Sequence, residues 1–416
     1  MSSDTGAFAP FRAARYTDPD ADVTAPPYDV LDVAAADALR AADPHNIVHL
    51  DLPVNLGDAA AGAVSGGGGD AVQDAHRGAA SMLEQWVDDG VLDIDPDPAF
   101  YLYAQGYRDG SGAQHQTAGV VGALEIGTEG VLPHEQTTPK ASSDRLVSLE
   151  ATRTNLSMIY ALSTAADLPA LLTPEGPPVM AVTDDEGVHH RLWRITSPAR
   201  VGAIADAISS DPVVIADGHH RYSVAEQYAA SHDVTGADRI MTFVVPLDPE
   251  YLAVRPIHRV LPRVGAASDA AEIADALGDV ADVKPVESTA LLDDPEAGHV
   301  IVIAADAAWD CTPRLRPQDS ERLARVPEVL RPLTVSWLHE VLLERLGADA
   351  AVFHHDRAEV ARRVHQGEAA LGVLMPPISV ADIEEVADAD ERMPPKTTFF
   401  WPKARTGLVL RRFEDQ

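Results

Sequence analysis

The sequence predicts a mixed α/β protein of 416 residues, and three features of the chain indicate this class. Two apolar runs, Ala99–Tyr107 and Thr117–Ile126, are joined by the turn sequence RDGSG and predict two connected strands. The short apolar run Val213–Ala216 leads into the helical pattern of Ser223–Ala230. In the last third of the chain, strand-like and helix-like runs alternate, which is typical of layered α/β folds.

Further elements follow from local pattern. The segment SGGGGD (Ser65–Asp70) predicts a flexible surface loop, and the apolar spacing after it predicts a helix that stops at Gly90. IMTFVVPL and VIVIAA predict strands. Near the end, AVFHH, AEVARRVHQG, ALGVLMPP, SVADIEEVADA and TGLVLRRF predict strand, helix, strand, helix and strand, with a capping box from Ser379 to Asp382. We therefore expect a core at residues 1–260 and a C-terminal α/β part at residues 261–416.

The composition predicts a folded and strongly acidic protein. Hydrophobic residues make up 46% of the chain, so a sizeable core is expected and global disorder is not. The formal net charge is −33, and all but four of the 32 basic residues are arginine. In molar salt the Debye length falls to about 3 Å, which screens repulsion between exposed carboxylates. The composition thus favours a cytoplasmic protein of a halophilic archaeon over an ordinary acidic protein of a GC-rich mesophile.

Several classes of protein are disfavoured by what the sequence lacks. Cys311 is the only cysteine, so neither an intramolecular disulfide nor a thiolate metal cluster is expected. No apolar run reaches the roughly 18 to 20 residues that span a bilayer, and the first residues do not resemble a signal peptide. There is no H-E-x-x-H zinc motif and no G-x-x-x-x-G-K-[ST] loop. Without a Lys/Arg cluster, nucleic acid is not an expected partner.

The corner VVIADGHHRYSVAEQYAA concentrates groups that bind phosphate. Gly218 permits a tight turn that other residues resist. The amides after it open a helix, where the helix dipole favours an anion. Arg221 adds a planar fork suited to phosphate or carboxylate, and His219 and His220 add donors or a base. Asp217 can cap the helix or hold a cation such as Mg²⁺. The alternative is an ordinary helix cap with two surface histidines.

Two other polar stretches contain three of the four lysines, which suggests that these lysines were retained for function. The stretch Asp388–Leu408 contains Lys396 and Lys403 beside aromatic residues. The stretch Val131–Asn155 can also be read as a solvated loop and helix start. Its charged and polar members include His134, Glu135, Lys140, Asp144, Arg145, Arg153 and Asn155.

Taken in order, the motifs APPYDV, LPHEQT, ATRTN, IADGHHRY, PIHR and ERMPPKTTFFWPK…TGL resemble the family labelled domain of unknown function 1015. The resemblance runs from about Phe11 to near the C-terminus. It implies a ParB/sulfiredoxin-like fold in which a D-G-x-x-R corner binds nucleotide phosphate. Relatives in this wider group include kinases of free serine, ParB proteins that bind DNA and a nucleotide, and sulfiredoxins. The corner in this chain has no cysteine, which argues against sulfiredoxin chemistry.

The resemblance implies a phosphotransferase that uses ATP, ADP or pyrophosphate with Mg²⁺ to phosphorylate a small hydroxyl substrate, with free L-serine as the first candidate. The expected base is Glu135, and the other catalytic candidates are His134, Asp217 and His220. Phosphate binding is assigned to Gly218, His219, His220, Arg221, Tyr222 and Lys140. Substrate contacts are assigned to Arg145, Arg153, Asn155, His258, Lys396 and Thr397. The alternatives are a ParB-like nucleotide-binding regulatory or DNA-binding protein without kinase activity, and a catalytically silent metabolite sensor.

Overall fold

The computed structural model describes residues 6–53, 68–109, 111–128, 130–133, 142–265, 269–287, 294–348 and 350–416. The α-helices are α1 (Val33–Ala42), α2 (Val48–Asp51), α3 (Gly68–Asp88), α4 (Ser142–Thr152), α5 (Pro198–Ser210), α6 (His219–Ser231), α7 (Ala270–Gly278), α8 (Pro317–Leu323), α9 (Thr334–Trp337), α10 (Leu343–Arg345), α11 (Arg357–His365) and α12 (Val380–Asp388). A π-helical turn, Leu338–Leu342, joins α9 to α10.

Strands make up most of the remaining regular structure. They are β1 (Phe8–Ala9), β2 (Ala14–Tyr16), β3 (Leu92–Ile94), β4 (Phe100–Arg108), β5 (Gln114–Glu125), β6 (Val131–Pro133), β7 (Thr154–Asn155), β8 (Ile159–Ser163), β9 (Met180–Thr183), β10 (His189–Ile195), β11 (Val213–Asp217), β12 (Arg239–Pro246), β13 (Ala253–Pro256), β14 (His258–Leu261), β15 (Ala281–Pro285), β16 (Val300–Ile303), β17 (Ala308–Pro313), β18 (Val352–His354), β19 (Leu371–Leu374), β20 (Thr398–Trp401) and β21 (Arg411–Arg412).

The chain forms two compact units, and the first of them contains both ends of the described chain. The first unit runs to Leu252 and also includes Pro402–Gln416, whereas Ala253–Trp401 belongs to the second. The sequence analysis predicts a boundary between the two parts at residue 260, with the C-terminal tail in the second part. The tail returns because it pairs with N-terminal backbone: the Ala14 N–H donates to the Leu410 carbonyl at 3.0 Å. Such long-range pairing leaves no local sequence pattern.

The first unit is built around a nine-stranded mixed sheet. Its order is β6-β11-β8-β12-β5-β4-β10-β9, with β1 beside β5. The pairs β11–β6 and β12–β8 are parallel, and the other neighbours are antiparallel. Side chains alternate between the two faces of a strand, and those on one face of this sheet pack against α5 and α6. That buried core includes Phe100, Leu102, Ile159, Ile208 and Ala225.

The second unit has a six-stranded antiparallel sheet in the order β15-β17-β16-β19-β14-β18, together with the pair β13–β20. Helix α11 packs on this sheet through Val360 and Val364, which contact Ile303 and other buried strand residues. Gly372 allows the close approach, since a Cβ there would lie 2.6 Å from Val360 Cγ1. With mixed and antiparallel sheets covered by helices, the predicted mixed α/β class is confirmed.

Several sequence predictions of single elements can be compared with these bounds. The β4–β5 hairpin and the capping box between Ser379 and Asp382 are confirmed. The prediction of a loop to Asp70 is wrong at its end, because α3 already begins at Gly68. TGLVLRRF forms regular strand only at Arg411–Arg412, since its other pairings are isolated bridges. Among the described helices, none has the length and apolar composition needed to cross a lipid bilayer.

Candidate functional site

The strand-to-helix corner between β11 and α6 requires glycine. Gly218 caps α6 with φ of 90°, in the left-handed region that other residues adopt at a cost. A Cβ at this position would also lie 2.8 Å from Ile159 Cγ2 and 3.1 Å from Arg221 Cζ. The first intrahelical hydrogen bond runs from the Tyr222 N–H to the Gly218 carbonyl at 3.0 Å. The backbone amides of residues 219–221 precede this bond and therefore lie at the N-terminal end of α6. The N-terminal end of a helix stabilises anions.

Asp217, the last residue of β11, faces a cation at each carboxylate oxygen. Lys403 Nζ lies 3.4 Å from Oδ1, and a terminal nitrogen of Arg221 lies 3.4 Å from Oδ2. Burial by itself would raise the pKa of Asp217, but Lys403, Arg221 and His219 lower it to about 2. Asp217 is therefore ionised at neutral pH, and the two basic side chains together exceed its single negative charge.

The tail residue Lys403 is held in place through its backbone. Gln105 is buried, and its Nε2 donates to the carbonyls of Lys403 at 2.9 Å and Pro402 at 3.3 Å. Two residues later, Arg405 is buried and donates to the Thr24 hydroxyl at 2.9 Å and the Thr24 carbonyl at 2.8 Å. Lys403 was not among the predicted site residues, although the scarcity of lysine marked its segment. No local pattern connects it with Asp217.

Arg221 crosses the corner with most of its side chain buried. One terminal nitrogen donates to the Met158 carbonyl, and the other lies near Asp217. Its Nε is buried and has no hydrogen-bond partner among the described residues. A buried N–H without a partner is rare in folded proteins, because it loses the hydrogen bond it makes to water. An acceptor oxygen at this edge of the guanidinium would complete its hydrogen bonds.

The APPYDV segment (Ala25–Val30) also reaches this region. The Arg145 guanidinium lies 4.3 Å from the centre of the Tyr28 ring, a cation–π distance. Burial raises the pKa of Tyr28, and the nearby positive charges of Arg221 and Arg145 act in the opposite direction. Tyr28 therefore lies within electrostatic range of two arginines that the sequence assigned to the site.

A small cavity of about 50 Å³ brings together three predicted site residues, Arg145, Asn155 and Arg221. Asp51, Ser148 and Ser157 also line it. Since a water molecule needs roughly 10 to 15 Å³ of such space, the cavity holds a few waters or one small polar group. It is too small for a nucleotide, so a nucleotide at the corner would extend outside it.

Arg145 is committed to a buried ion-pair network. It donates to Asp51 Oδ1 at 2.8 Å, to the Asp51 carbonyl at 2.8 Å and to Asp144 Oδ2 at 2.7 Å. Burial lowers the pKa of Arg145, but Asp51 and Asp144 outweigh this and raise it. Asp144 also contacts buried His76, whose Nε2 lies 3.0 Å from Asp144 Oδ1. A role of Arg145 in binding substrate stays a prediction.

The other predicted residues of the first unit have varied surroundings. Tyr222 is buried in the core, and its hydroxyl accepts a hydrogen bond from the Gly127 N–H at 3.1 Å. Asn155 is held by the Met241 N–H, which donates to its Oδ1 at 3.0 Å. Arg153 is exposed at the end of α4 with φ of 48°, a left-handed conformation. His219 and His220 open α6 and are half-buried.

Three predicted substrate residues belong to the second unit. His258 is buried, accepts a hydrogen bond from the Met375 N–H at 3.1 Å, and has a pKa that burial and Arg357 lower to about 4. Thr397 is buried and donates to the Pro394 carbonyl at 2.5 Å. Lys396 is exposed with φ of 58°. His134, Glu135 and Lys140 lie outside the described residues.

The predicted Mg²⁺ ligand Asp217 does not fit that role in this arrangement. Both of its carboxylate oxygens face cationic nitrogens, so a divalent cation would have to displace Lys403 or Arg221. Within the described parts of the chain, no group of three or more His, Cys, Asp or Glu side chains is placed to hold a metal ion. The cationic side chains instead suit an anion.

Comparison with solved structures finds remote likenesses. A conserved hypothetical protein from Pyrococcus furiosus is 12% identical, with a TM-score of 0.37 over 70% of this chain and 96% of that chain. A free serine kinase in complex with AMP is 11% identical, with a TM-score of 0.36 over 67% and 86%. SbnI with a C-terminal truncation, from Staphylococcus aureus, is 11% identical, with a TM-score of 0.36 over 69% and 85%. These scores are too low to assign a function.

Sequence comparison gives a clearer result. No curated protein matches this chain. The profile of a family described as "Protein of unknown function (DUF1015)" matches residues 8–336, which is most of the chain. The motifs of the strand-to-helix corner and of the segments before it lie within this match. The chain therefore belongs to the DUF1015 family.

Proposed function

We propose that this protein binds the phosphates of a nucleotide, or pyrophosphate, at the corner and transfers a phosphoryl group to a small hydroxyl substrate. The observation that supports this best is the set of cationic groups around Gly218. The N-terminal end of α6, Arg221 and Lys403 meet at the half-buried carboxylate of Asp217, so the corner has a surplus of positive charge in a chain of net charge −33. Phosphoryl transfer depends chiefly on positioning and charge neutralisation, which such a corner supplies.

The substrate and the base follow from the motif resemblance. Free L-serine is the first candidate substrate, and Glu135 is the candidate base that accepts the hydroxyl proton. In this scheme the bond between the serine oxygen and phosphorus forms as the bond from phosphorus to the donor's leaving oxygen breaks. The corner holds the phosphates of the donor, and Arg221 and Lys403 offset the negative charge that develops on them.

The first experiment is a product assay with purified protein in multimolar KCl. L-serine and Mg²⁺ are supplied with ATP, ADP or pyrophosphate, and phosphorus NMR follows O-phosphoserine. We expect product with one donor and a decrease of roughly 10² to 10⁴ in rate for Glu135→Gln, the usual contribution of a general base. Glu150→Gln, which alters an exposed glutamate on α4, is the matched control.

Either negative result of this assay is informative. Absence of product with every donor would reject the kinase. If the protein still binds nucleotide under those conditions, the regulatory alternative becomes the better description. Equal rates for Glu135→Gln and Glu150→Gln would remove Glu135 from the mechanism while leaving the reaction itself in place.

Lys403→Met is expected to weaken binding of the phosphate donor about tenfold, because it removes one of the two cationic side chains at the corner. The measurement is the KM for the donor, with Lys284→Met as control, since Lys284 is an exposed lysine on β15. Equal KM values in the two variants would contradict a role for Lys403.

The same substitution has a consequence for stability at low pH. The folded-state pKa of Asp217 is about 2, below its ordinary value of 3.8. Ionised Asp217 therefore stabilises the fold above pH 3.8, and this contribution is lost as the pH falls from 3.8 towards 2. Without Lys403 the pKa of Asp217 moves back towards 3.8, so the free energy of unfolding that is lost between pH 3.8 and 2 should be smaller in Lys403→Met than in Lys284→Met, as measured by chemical unfolding at the two pH values.

A further inference from the structure

A second cleft in the first unit lies on the strands β4, β5 and β10. Its volume is about 560 Å³, within the range of small-molecule sites. The lining side chains that matter here are Arg108, Gln114, Gln116, Glu186, His189 and Arg191. The cleft shares no lining residue with the Arg145–Arg221 cavity, and it includes none of the corner residues.

The charge of this cleft contrasts with that of the chain as a whole. Two guanidinium groups and one carboxylate line it, whereas acidic residues outnumber basic ones about two to one in the sequence. Arg108 donates to the Gly112 carbonyl at 2.9 Å, a neutral partner. Within the described residues, neither Arg108 nor Arg191 forms an ion pair with a carboxylate. Both positive charges are therefore available to an anion.

The strand register places Arg108 and Arg191 on the same face of the sheet but at different positions along the strand direction. Arg191 lies opposite Ala104, and His189 lies opposite Gly106. Arg108 is four residues beyond Ala104 on β4, so it lies on the same face about 13 Å further along the strand. Gly106 lies between them and leaves the floor open, since a Cβ there would have its nearest neighbour at 4.0 Å.

We propose that the β4–β10 cleft, defined by Arg108, Gly106, His189 and Arg191, binds a small polyanion whose charges are spread along its length, such as a chain of phosphates. Each arginine holds one end of the ligand, and the glycine floor accommodates its middle. Strand residues are suited to this because the sheet fixes their backbone positions. The site is additional to the phosphate corner and does not depend on catalysis there.

Calorimetric titration of the full chain with inorganic tripolyphosphate tests this site. Arg108→Ala and Arg191→Ala are each expected to weaken binding at the cleft about tenfold, the usual effect of losing a charge-assisted hydrogen bond. Arg77→Ala is the matched control, because it removes an exposed arginine of α3 in the same unit. Glu186→Gln is expected to tighten binding, since it removes the one carboxylate that lines the cleft. Orthophosphate is expected to bind at least tenfold more weakly than tripolyphosphate, because it cannot reach both arginines.

The Arg221→Ala variant separates this proposal from the function proposed for the corner. Tripolyphosphate binding that persists in Arg221→Ala and weakens in Arg191→Ala supports the cleft, whether or not the kinase assay succeeds. The proposal is overturned if the wild-type chain does not bind tripolyphosphate, or if Arg221→Ala abolishes all binding. It is also overturned if Arg108→Ala and Arg191→Ala behave like Arg77→Ala, or if orthophosphate binds as tightly as tripolyphosphate.

Discussion

Replacing Arg221 with alanine is expected to lower kcat/KM for O-phosphoserine formation by about 10² to 10³, the effect of removing one preorganised donor from a transition-state site. The reason is geometric. Arg221 lies in the first turn of α6, just after the capping residue Gly218. It contacts Asp217 and donates to the Met158 carbonyl, so its guanidinium has a fixed orientation. Its buried Nε has no hydrogen-bond partner among the described residues, and we expect it to donate to a phosphate oxygen of the bound donor. The measurement is the phosphorus NMR assay with the donor that proves active.

A conservative variant and a matched control separate catalysis from folding. Arg221→Lys keeps the charge but loses the planar fork, so we expect activity between those of the wild type and Arg221→Ala. Arg200→Ala is the control, because Arg200 also donates to backbone carbonyls of the same unit, those of Leu171 and Thr173. If Arg200→Ala lost as much activity as Arg221→Ala at the same melting temperature, the special role of Arg221 would be rejected.

Local features of the fold could be predicted from the sequence because their causes are local. The β4–β5 hairpin follows from two apolar runs around a turn, and the start of α12 follows from Ser379 and Asp382, three residues apart. The strand-to-helix corner at Gly218 belongs to the same class. In each case the residues that determine the conformation are neighbours in the chain, so their spacing carries the information.

The position of Lys403 beside Asp217 could not be predicted from such local spacing. Lys403 reaches Asp217 because the tail returns to the first unit, where Gln105 binds its backbone and β21 pairs with β7. Those contacts join residues that are far apart in the chain. The rarity of lysine was the one available signal, and it drew attention to the segment without identifying its partner.

The ion pairs of single charged residues could not be predicted from the sequence either, and the site roles assigned to Asp217 and Arg145 stay predictions. Asp217 was predicted as a ligand of Mg²⁺ because an aspartate at a strand end has suitable oxygens, yet its two oxygens face Lys403 and Arg221. Arg145 was predicted to bind substrate, and it is paired with Asp51 and Asp144. A sequence shows which charges exist, whereas the pairing of charges depends on tertiary packing.

Arg145→Ala is expected to lower the free energy of unfolding by about 3 to 5 kcal/mol, the usual effect of breaking a buried ion pair from one side. The side chains of Arg145 and Asp51 are only 7% and 6% exposed, so the variant leaves the Asp51 carboxylate buried without its cation. The measurement is chemical unfolding at constant high salt. Arg77→Ala is the control, because Arg77 and its partner Asp74 are 66% and 70% exposed and such pairs contribute less than about 1 kcal/mol.

The double variant Arg145→Met with Asp51→Leu distinguishes the structural role from substrate binding. Since the penalty comes from an unpaired buried charge, removing both charges should restore much of the stability lost in Arg145→Ala. A structural arginine predicts that activity returns with stability. If Arg145→Ala instead unfolded like the wild type while its KM for serine rose, Arg145 would be a substrate ligand and its pairing with Asp51 would contribute little to the fold.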